Sequence, residues 1–477
     1  MRRATGYDIT PFFGLEPAAG VDAIHEATLE VLDRAGLRML HEPSRRLLAS
    51  AGCRVDGEMV YIHSALVEEC LARCPRELRI YTRDGSLAMT LGRSRSHFGY
   101  GSDTPYVLDY RTGLIRDALL QDVRDAARLG ERLPNIDFLM SLGLATDVPS
   151  RVSDAYQFLA MTGESKKPVV FTAHDEGTMG LILDIASLVA GGKGNLSARP
   201  FIIHYAEPTS PLTFSGEAVR KMLMCADNGI PVIWTPGPMM GATSPVTVAG
   251  SIVQANAETI GGLVLHQIYK PGAPFIYGII SSPLDMRTGV CVYGGPEAPL
   301  THAVASRLAR RYRIPQFSTA GCTDSLSVDA QAGVDAAFSV LIAMLSGADL
   351  VHDCGYVGSA LVGSLEMAAL DNEIIGMARR LAGGFRVDEE RLAVDEIVAA
   401  GPGANWINRE HTRRHFREEV WYPDGFIRRQ AAAGMRDTPT ASGRFREFIE
   451  SVLGEASPAA LAADVAAEAE RLIREYP

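Results

Sequence analysis

Lysine is scarce in this 477-residue chain: five of its 46 basic residues are lysine (166, 167, 193, 221 and 270) and the rest are arginine. Few amines are therefore available for Schiff-base chemistry. Cysteine is sparse as well, with seven scattered at 53, 70, 74, 225, 291, 322 and 354. An odd set without a CxxC pair excludes a disulfide framework and a zinc ribbon. No window of 18 residues is apolar and uncharged, and MRRATGYDITPFFG lacks an apolar h-region. Neither a membrane span nor a signal peptide is expected, and the chain reads as cytoplasmic. No GxGxxG follows a strand pattern and no GxxxxGK[ST] is present, which disfavours nucleotide folds. Positive charge is in deficit: 57 acids against 46 bases leave a net charge of −11, against a general nucleic-acid binder.

What is present is an ordinary globular balance, 47% hydrophobic and 22% charged. A prior of about 150 residues per domain suggests three domains, but (β/α) barrels run past this as one unit. Residues 21–35 carry apolar groups at helical spacing, stopped by Gly36. Further helices are predicted at Pro43–Ala51 and at Ser64–Arg73 with Ser64 as N-cap. Short β-rich pieces, MVYI and LRIYT, lie between and after them.

From about residue 96 the texture changes. Eight apolar runs recur: His97–Tyr100, Phe138–Leu144, Val169–Thr172, Phe201–Tyr205, Val232–Thr235, Phe275–Ile280, Gln316–Thr319 and Leu350–His352. Runs bounded by breakers suit buried parallel strands. Each is followed by a helical pattern: 120–132, 152–162, 178–189, 215–228, 246–269, 297–312, 330–345 and 366–382. This alternation predicts an α/β fold, a (β/α)8 TIM-type barrel, although a doubly wound sheet gives the same count. The expected organisation is an N-terminal α+β extension (1–95), the barrel with the active site (96–400) and a C-terminal helical extension (401–477). That tail holds an Arg/Glu-rich segment (408–429) and an amphipathic helix at Pro458–Glu475. Val107–Asp109 and Gly113–Ile115 are expected to form a hairpin on the first loop.

Barrel chemistry sits at the C-terminal strand ends. Those ends would gather Tyr100, Asp103, His174, Asp175, Tyr205, Glu207, Tyr277, Asp285, Cys322, Asp324, His352, Asp353 and Tyr356 into one aromatic, acidic, lysine-free mouth. Such a mouth suits a cation, in particular a quaternary ammonium. A metal is not expected: His352, Asp353 and Cys354 are consecutive, and neighbours on an extended segment point opposite ways. The pair His411 and His415 lacks the glutamate of HExxH and reads as a solvated helix face. Cys322 with His352 has the makings of a nucleophile and base, or is a small buried thiol. Glu366 either serves the N-terminal end of its helix or reaches the mouth.

A family pattern runs through residues 20–400. The stretches ATLEVLDRAGL (27–37), HFGYGSDTPYVLD (97–109), PTSPL (208–212), GIPVIWTPGPMMGATSPVTVAG (229–250), ANAETIGGLVLHQIYKPGAPFIYG (255–278), DMRTG (285–289), PEAPL (296–300), AGCTDSLSVDAQAG (320–333) and DNEI (371–374) together resemble the trimethylamine methyltransferase family of corrinoid-dependent amine methyltransferases. The resemblance implies a barrel that offers a methylated amine to the Co(I) of a separate corrinoid protein. It also implies that Cys322, after Ala320 and Gly321 and before Thr323 and Asp324, occupies the place of the pyrrolysine found in trimethylamine members. That departure points toward non-pyrrolysine relatives such as glycine betaine methyltransferases. A quaternary ammonium already carries a neutral tertiary amine as leaving group, so no proton transfer is needed.

On this reading the candidate catalytic residues are Asp324, His352 and Glu366. The candidate substrate-binding residues are Tyr100, Tyr205, Cys322, Gln331 and Tyr356. Tyr100, Tyr205 and Tyr356 are expected to face the trimethylammonium, with Asp324 or Glu366 nearby and His352 and Gln331 on the substrate carboxylate. No DxHxxG corrinoid motif occurs, so the cobalamin is expected on a partner protein docked over the mouth. No membrane or nucleic-acid partner is expected, and a homo-oligomer is compatible with the helical tail. The alternatives are another barrel enzyme, such as a metal-dependent hydrolase or lyase, and a non-catalytic quaternary-amine-binding paralogue.

Overall fold

The structure, a computed structural model, describes residues 19–93, 95–423, 429 and 440–477. The stretch MRRATGYDITPFFG and the 424–428 end of the Arg/Glu-rich segment lie outside them. Seven parallel strands form the core: β1 (His97–Tyr100), β3 (Val169–Phe171), β4 (Ile202–Ala206), β5 (Val232–Trp234), β6 (Phe275–Gly278), β7 (Gln316–Thr319) and β8 (Leu350–Cys354). Residues 138–139, here β2, close the ring through parallel bridges Gly99 to Phe138 and Leu139 to Val169. The result is a (β/α)8 barrel. The predicted β2 is cut short because Leu142 has a left-handed backbone, φ 57°, which an extended strand does not accommodate.

One helix follows each strand: α1 (Leu120–Arg132), α2 (Ser153–Glu164), α3 (Glu176–Val189), α4 (Gly216–Asn228), α5 (Val248–Tyr269), α6 (Glu297–Tyr312), α7 (Ala330–Ser346) and α8 (Leu365–Ala382). The strands read as continuous apolar runs because both faces are buried, one in the barrel and one under the helices. Phe138, Met140, Val170, Ile203, Ile233, Ile276, Phe317 and Leu350 fill the interior. A hairpin, Leu78–Tyr81 with Leu87–Leu91, adds Leu78, Ile80, Met89 and Leu91 to that cluster. Its backbone bonds to Pro200 and Lys166 and the Asp349 carboxylate on Gly92 place it at the N-terminal strand ends. The barrel is thus stoppered at its base.

The other N-terminal elements cover α5. Helices Ala19–Arg34 and Ser64–Arg73 pack on it, which explains why α5 is buried nearly all round. Gly36 takes φ 72° after the first of these, as its C′ position requires. The cap of the helix at 64–73 differs from expectation. Ser64 is its first residue, and the His63 ring Nδ1 accepts the Leu66 amide at 3.3 Å. Strand Leu37–Met39 pairs with Thr213–Phe214 of the β4–α4 loop. The hairpin on the first loop is present as Tyr106–Leu108 with Ile115–Asp117. At the other end, helix Ala441–Gly454 packs on α1 and α8, and the last helix, Ala463–Glu475, on α2 and α3. That helix starts after Pro458, not at it. Among the described residues, no helix is long and apolar enough to cross a membrane.

Candidate active site

The chamber above the interior plug is built from the ends of β4, β7 and β8 and the loops that follow. Its floor is aromatic: His352 lies 4.4 Å from the Phe317 ring and 5.7 Å from Tyr205, centroid to centroid. His352 is buried and neither ring nitrogen has a hydrogen-bond partner among the described residues. Its pKa is pushed down to about 3, first by burial and then by His302. Its Nδ1 stands 3.1 Å from Asp353 Oδ1. This is a contact of neutral groups, because burial, then the Glu207 charge, holds the Asp353 carboxyl well above the usual range.

The adjacent side chains of His352 and Asp353 meet here because alternation fails at this point. Asp353 has φ 82°, and the β8 register to β1 shifts between Val351 and Cys354. A bulge with a left-handed aspartate costs on the order of 1 kcal/mol, and such strain concentrates at functional strand ends. It corrects the expectation that these neighbours point opposite ways.

Three tyrosines wall the chamber. Tyr205 donates its hydroxyl to Glu207. Solvent reaches Glu207 through the mouth, yet the surrounding protein still raises its carboxyl by desolvation, against the opposing Tyr205 bond. Tyr356 donates to the Ser102 carbonyl and lies across Gly101, where a Cβ would collide with its ring. Tyr293, from the β6–α6 loop, completes the wall. Burial raises its hydroxyl first, and the nearness of Asp353, Cys291, Cys322 and Glu207 raises it further, which identifies its neighbours. Tyr293 was not among the sequence candidates; its signal is the YGGP turn just before α6. Beside the wall, the Asp103 carboxylate is gripped by Ser141 at 2.8 Å, Gln157 at 2.8 Å and Thr172 at 2.7 Å. Asp154, next to it, has its carboxyl raised to about 6 by burial and then by the Asp103 charge.

The expected residues divide. Tyr205, Cys322, His352 and Tyr356 come together in the chamber. Cys322 is buried, and its thiol is held well above its ordinary pKa by burial, then by Asp353 and Asp324. It is a neutral thiol rather than a thiolate. Tyr100 is elsewhere: Gly99 turns inward onto Phe138, so Tyr100 points outward, against Gly130 of α1 and Leu139. Glu366 is spent on the C-terminal segment, accepting from Ser442 at 2.8 Å and Arg446 at 2.9 Å. Gln331 is exposed on the first turn of α7, 3.4 Å from Asp335. Asp324 accepts the amides of Tyr293 and Gly294 at 2.9 and 3.0 Å and the Ser359 hydroxyl at 2.8 Å, so its oxygens serve the loops. Of the wider set, Tyr277 bonds Asn256 in the helix layer, Asp175 caps α3, and Asp285 pairs with Arg287 in an exposed turn.

The geometry can enclose a compact cation against aromatic faces with carboxyls close by. Comparison with known proteins supplies the lineage. The family described as trimethylamine methyltransferase (MTTB) matches residues 8–473. A glycine betaine methyltransferase of Desulfitobacterium hafniense (strain Y51) is 30% identical over 419 residues, 87% of each chain. Trimethylamine methyltransferase MttB of Desulfitobacterium hafniense (strain DSM 10664 / DCB-2) is 29% identical over 460 residues, 95% of this chain and 93% of that one. Among solved structures, the monomethylamine methyltransferase MtmB of Methanosarcina barkeri aligns at TM-score 0.49 and 12% identity, over 96% of this chain and 92% of that chain. With its match spanning nearly the whole sequence, the chain belongs to the trimethylamine methyltransferase (MTTB) family.

Proposed function

We propose that this protein, acting in the cytoplasm, moves a methyl group from a quaternary amine, glycine betaine or a related betaine, to the corrinoid of a partner protein. The observation that carries the reading is the cluster at the mouth: Tyr205 bonds Glu207 and packs on His352, and the neighbouring Asp353 lies within electrostatic reach of Tyr205, Tyr293 and Tyr356. Aromatic faces stabilise a quaternary ammonium by about 0.5–2 kcal/mol each, more as water is excluded. The Glu207 and Asp353 carboxyls, both raised first by burial, ionise more readily beside a bound cation and then supply the negative charge that faces it.

The reduced corrinoid supplies the nucleophile that accepts the methyl group. The chain's own residues bind, orient and dehydrate the substrate. Tyr356 and Tyr205 hold the ammonium head, and the buried His352 offers its ring nitrogens to the polar end. The departing tertiary amine is neutral, so no residue has to deliver a proton, and rate is gained by alignment and water exclusion. The neutral Cys322 thiol supports direct transfer, since the thiolate is the reactive form. A docked partner suits the rim: Val246, Met286, Leu326 and Leu361, on four successive βα loops, are 67, 71, 59 and 56% exposed.

The test is methyl transfer from a panel (glycine betaine, proline betaine, carnitine, choline, γ-butyrobetaine) to free cob(I)alamin, with the demethylated product identified. Turnover of one member supports the reading. Binding without turnover, with cob(I)alamin present, favours a binding paralogue, and no binding refutes it.

A further inference from the structure

The loop Val290–Pro296 reaches the chamber from β6, whereas the loops after β7 and β8 are stitched to each other directly. Thr323 donates its amide to the Tyr356 carbonyl at 3.2 Å, Ser359 to Thr323 at 3.0 Å, and Gly358 to Ser325 at 2.7 Å. The β6 loop joins that pair through one side chain. Asp324 Oδ1 takes the Tyr293 amide and the Ser359 hydroxyl, and Oδ2 takes the Gly294 amide. A single carboxylate thus ties three mouth loops. The approach is close: a Cβ on Gly294 would lie 2.5 Å from an Asp335 oxygen and 3.1 Å from Asp324, so a larger residue there would have to push both carboxylates aside. Asp335 in turn accepts the Thr323 hydroxyl at 2.7 Å, bracing the strand-end that carries Asp324.

We infer that Asp324 is a positioning residue: by gathering these three loops it holds Tyr293 as a wall of the chamber, and Tyr293 sets the affinity for the cationic head. The inference rests on the reading of the chamber as a quaternary-ammonium site. Charge-assisted hydrogen bonds from two consecutive amides fix a loop more firmly than neutral ones do. An asparagine here keeps one amide and sets an N–H against the other. Its effect should therefore pass through Tyr293 rather than through the barrel.

Two measurements decide it. Amide exchange, without ligand, of a peptide spanning residues 290–296 is expected to quicken about tenfold or more in Asp324→Asn, and to a smaller degree in Ser359→Ala. Unchanged exchange overturns the inference whatever the ligand. Titration calorimetry with tetramethylammonium and with glycine betaine then forms a double-mutant cycle. Asp324→Asn and Tyr293→Ala each weaken binding about tenfold, the double variant is no weaker than Tyr293→Ala, and Tyr293→Phe stays within about threefold of wild type. Additive losses overturn it. If neither cation binds the wild-type protein, the quaternary-ammonium reading falls, while exchange still decides whether Asp324 holds the wall. If Asp324→Asn does not fold, Ser359→Ala combined with Tyr293→Ala supplies the same cycle.

Discussion

Asp154 offers a quantitative test of the electrostatics at the mouth. Its carboxyl, ordinarily titrating at 3.8, is raised to about 6 by burial and then by Asp103. In the unfolded chain it ionises near its ordinary value. Between these two pH values the folded protein therefore holds a proton that the unfolded chain has released. The stability this group contributes is intact below about pH 4 and is lost as pH rises through about 6. The loss levels off at about 3 kcal/mol, from 1.36 kcal/mol per pKa unit. Asp154→Asn does not titrate, and its amide oxygen can still accept the His174 N–H. The gap in unfolding free energy between variant and wild type should grow by up to about 3 kcal/mol between pH 3.5 and pH 7.5, whatever constant offset the substitution adds. Denaturant unfolding at half-unit pH steps measures it. A gap that is flat with pH, or that narrows as pH rises, refutes the reasoning.

Gly101→Ala should displace the Tyr356 ring; overpacking costs about 1–3 kcal/mol of stability, and losing one aromatic face weakens tetramethylammonium binding about 2- to 30-fold. Calorimetry showing wild-type affinity would exclude Tyr356 from the site. Arg446→Ala should loosen the tail, since Glu366, 5% exposed, then keeps only Ser442 among the described residues; a loss of about 1.5–3 kcal/mol would appear as faster proteolysis within residues 441–477, with cation affinity unchanged. Cys322→Ala should retain methyl transfer to cob(I)alamin within about tenfold, because a protonated thiol is not the nucleophile; complete loss of turnover in a variant that still binds substrate would count against direct transfer.

The barrel was legible because strands buried on both faces leave apolar runs with polar or glycine ends; seven of the eight runs form strands, and the second is reduced to bridges at Phe138 and Leu139. That same double burial hid which face each residue takes. In HFGY every residue is buried, so nothing in the run shows that Gly99 turns inward and Tyr100 outward. The Asp353 bulge broke the alternation rule in the opposite sense, adding a side chain that regular pleating would have sent to the helix layer. Glu366 and Gln331 were misplaced for another reason: both begin helices at the correct end of the barrel, but one meets Arg446, 80 residues away, and the other faces solvent. Tyr293 was missed because a loop, rather than a strand end, carries it: the YGGP turn marks the loop, but not its backbone bond to Asp324, 31 residues on.

The hairpin that stoppers the base has a kinetic consequence. With Leu78, Ile80, Met89 and Leu91 filling the lower barrel, the mouth would have to serve both the small molecule and the acceptor protein that the proposed reaction calls for. Under the proposed reaction, the amine has to load before the acceptor protein covers the opening, and the demethylated product can leave only after that protein departs. Turnover should therefore follow a compulsory order, with excess acceptor inhibiting by trapping the unloaded enzyme.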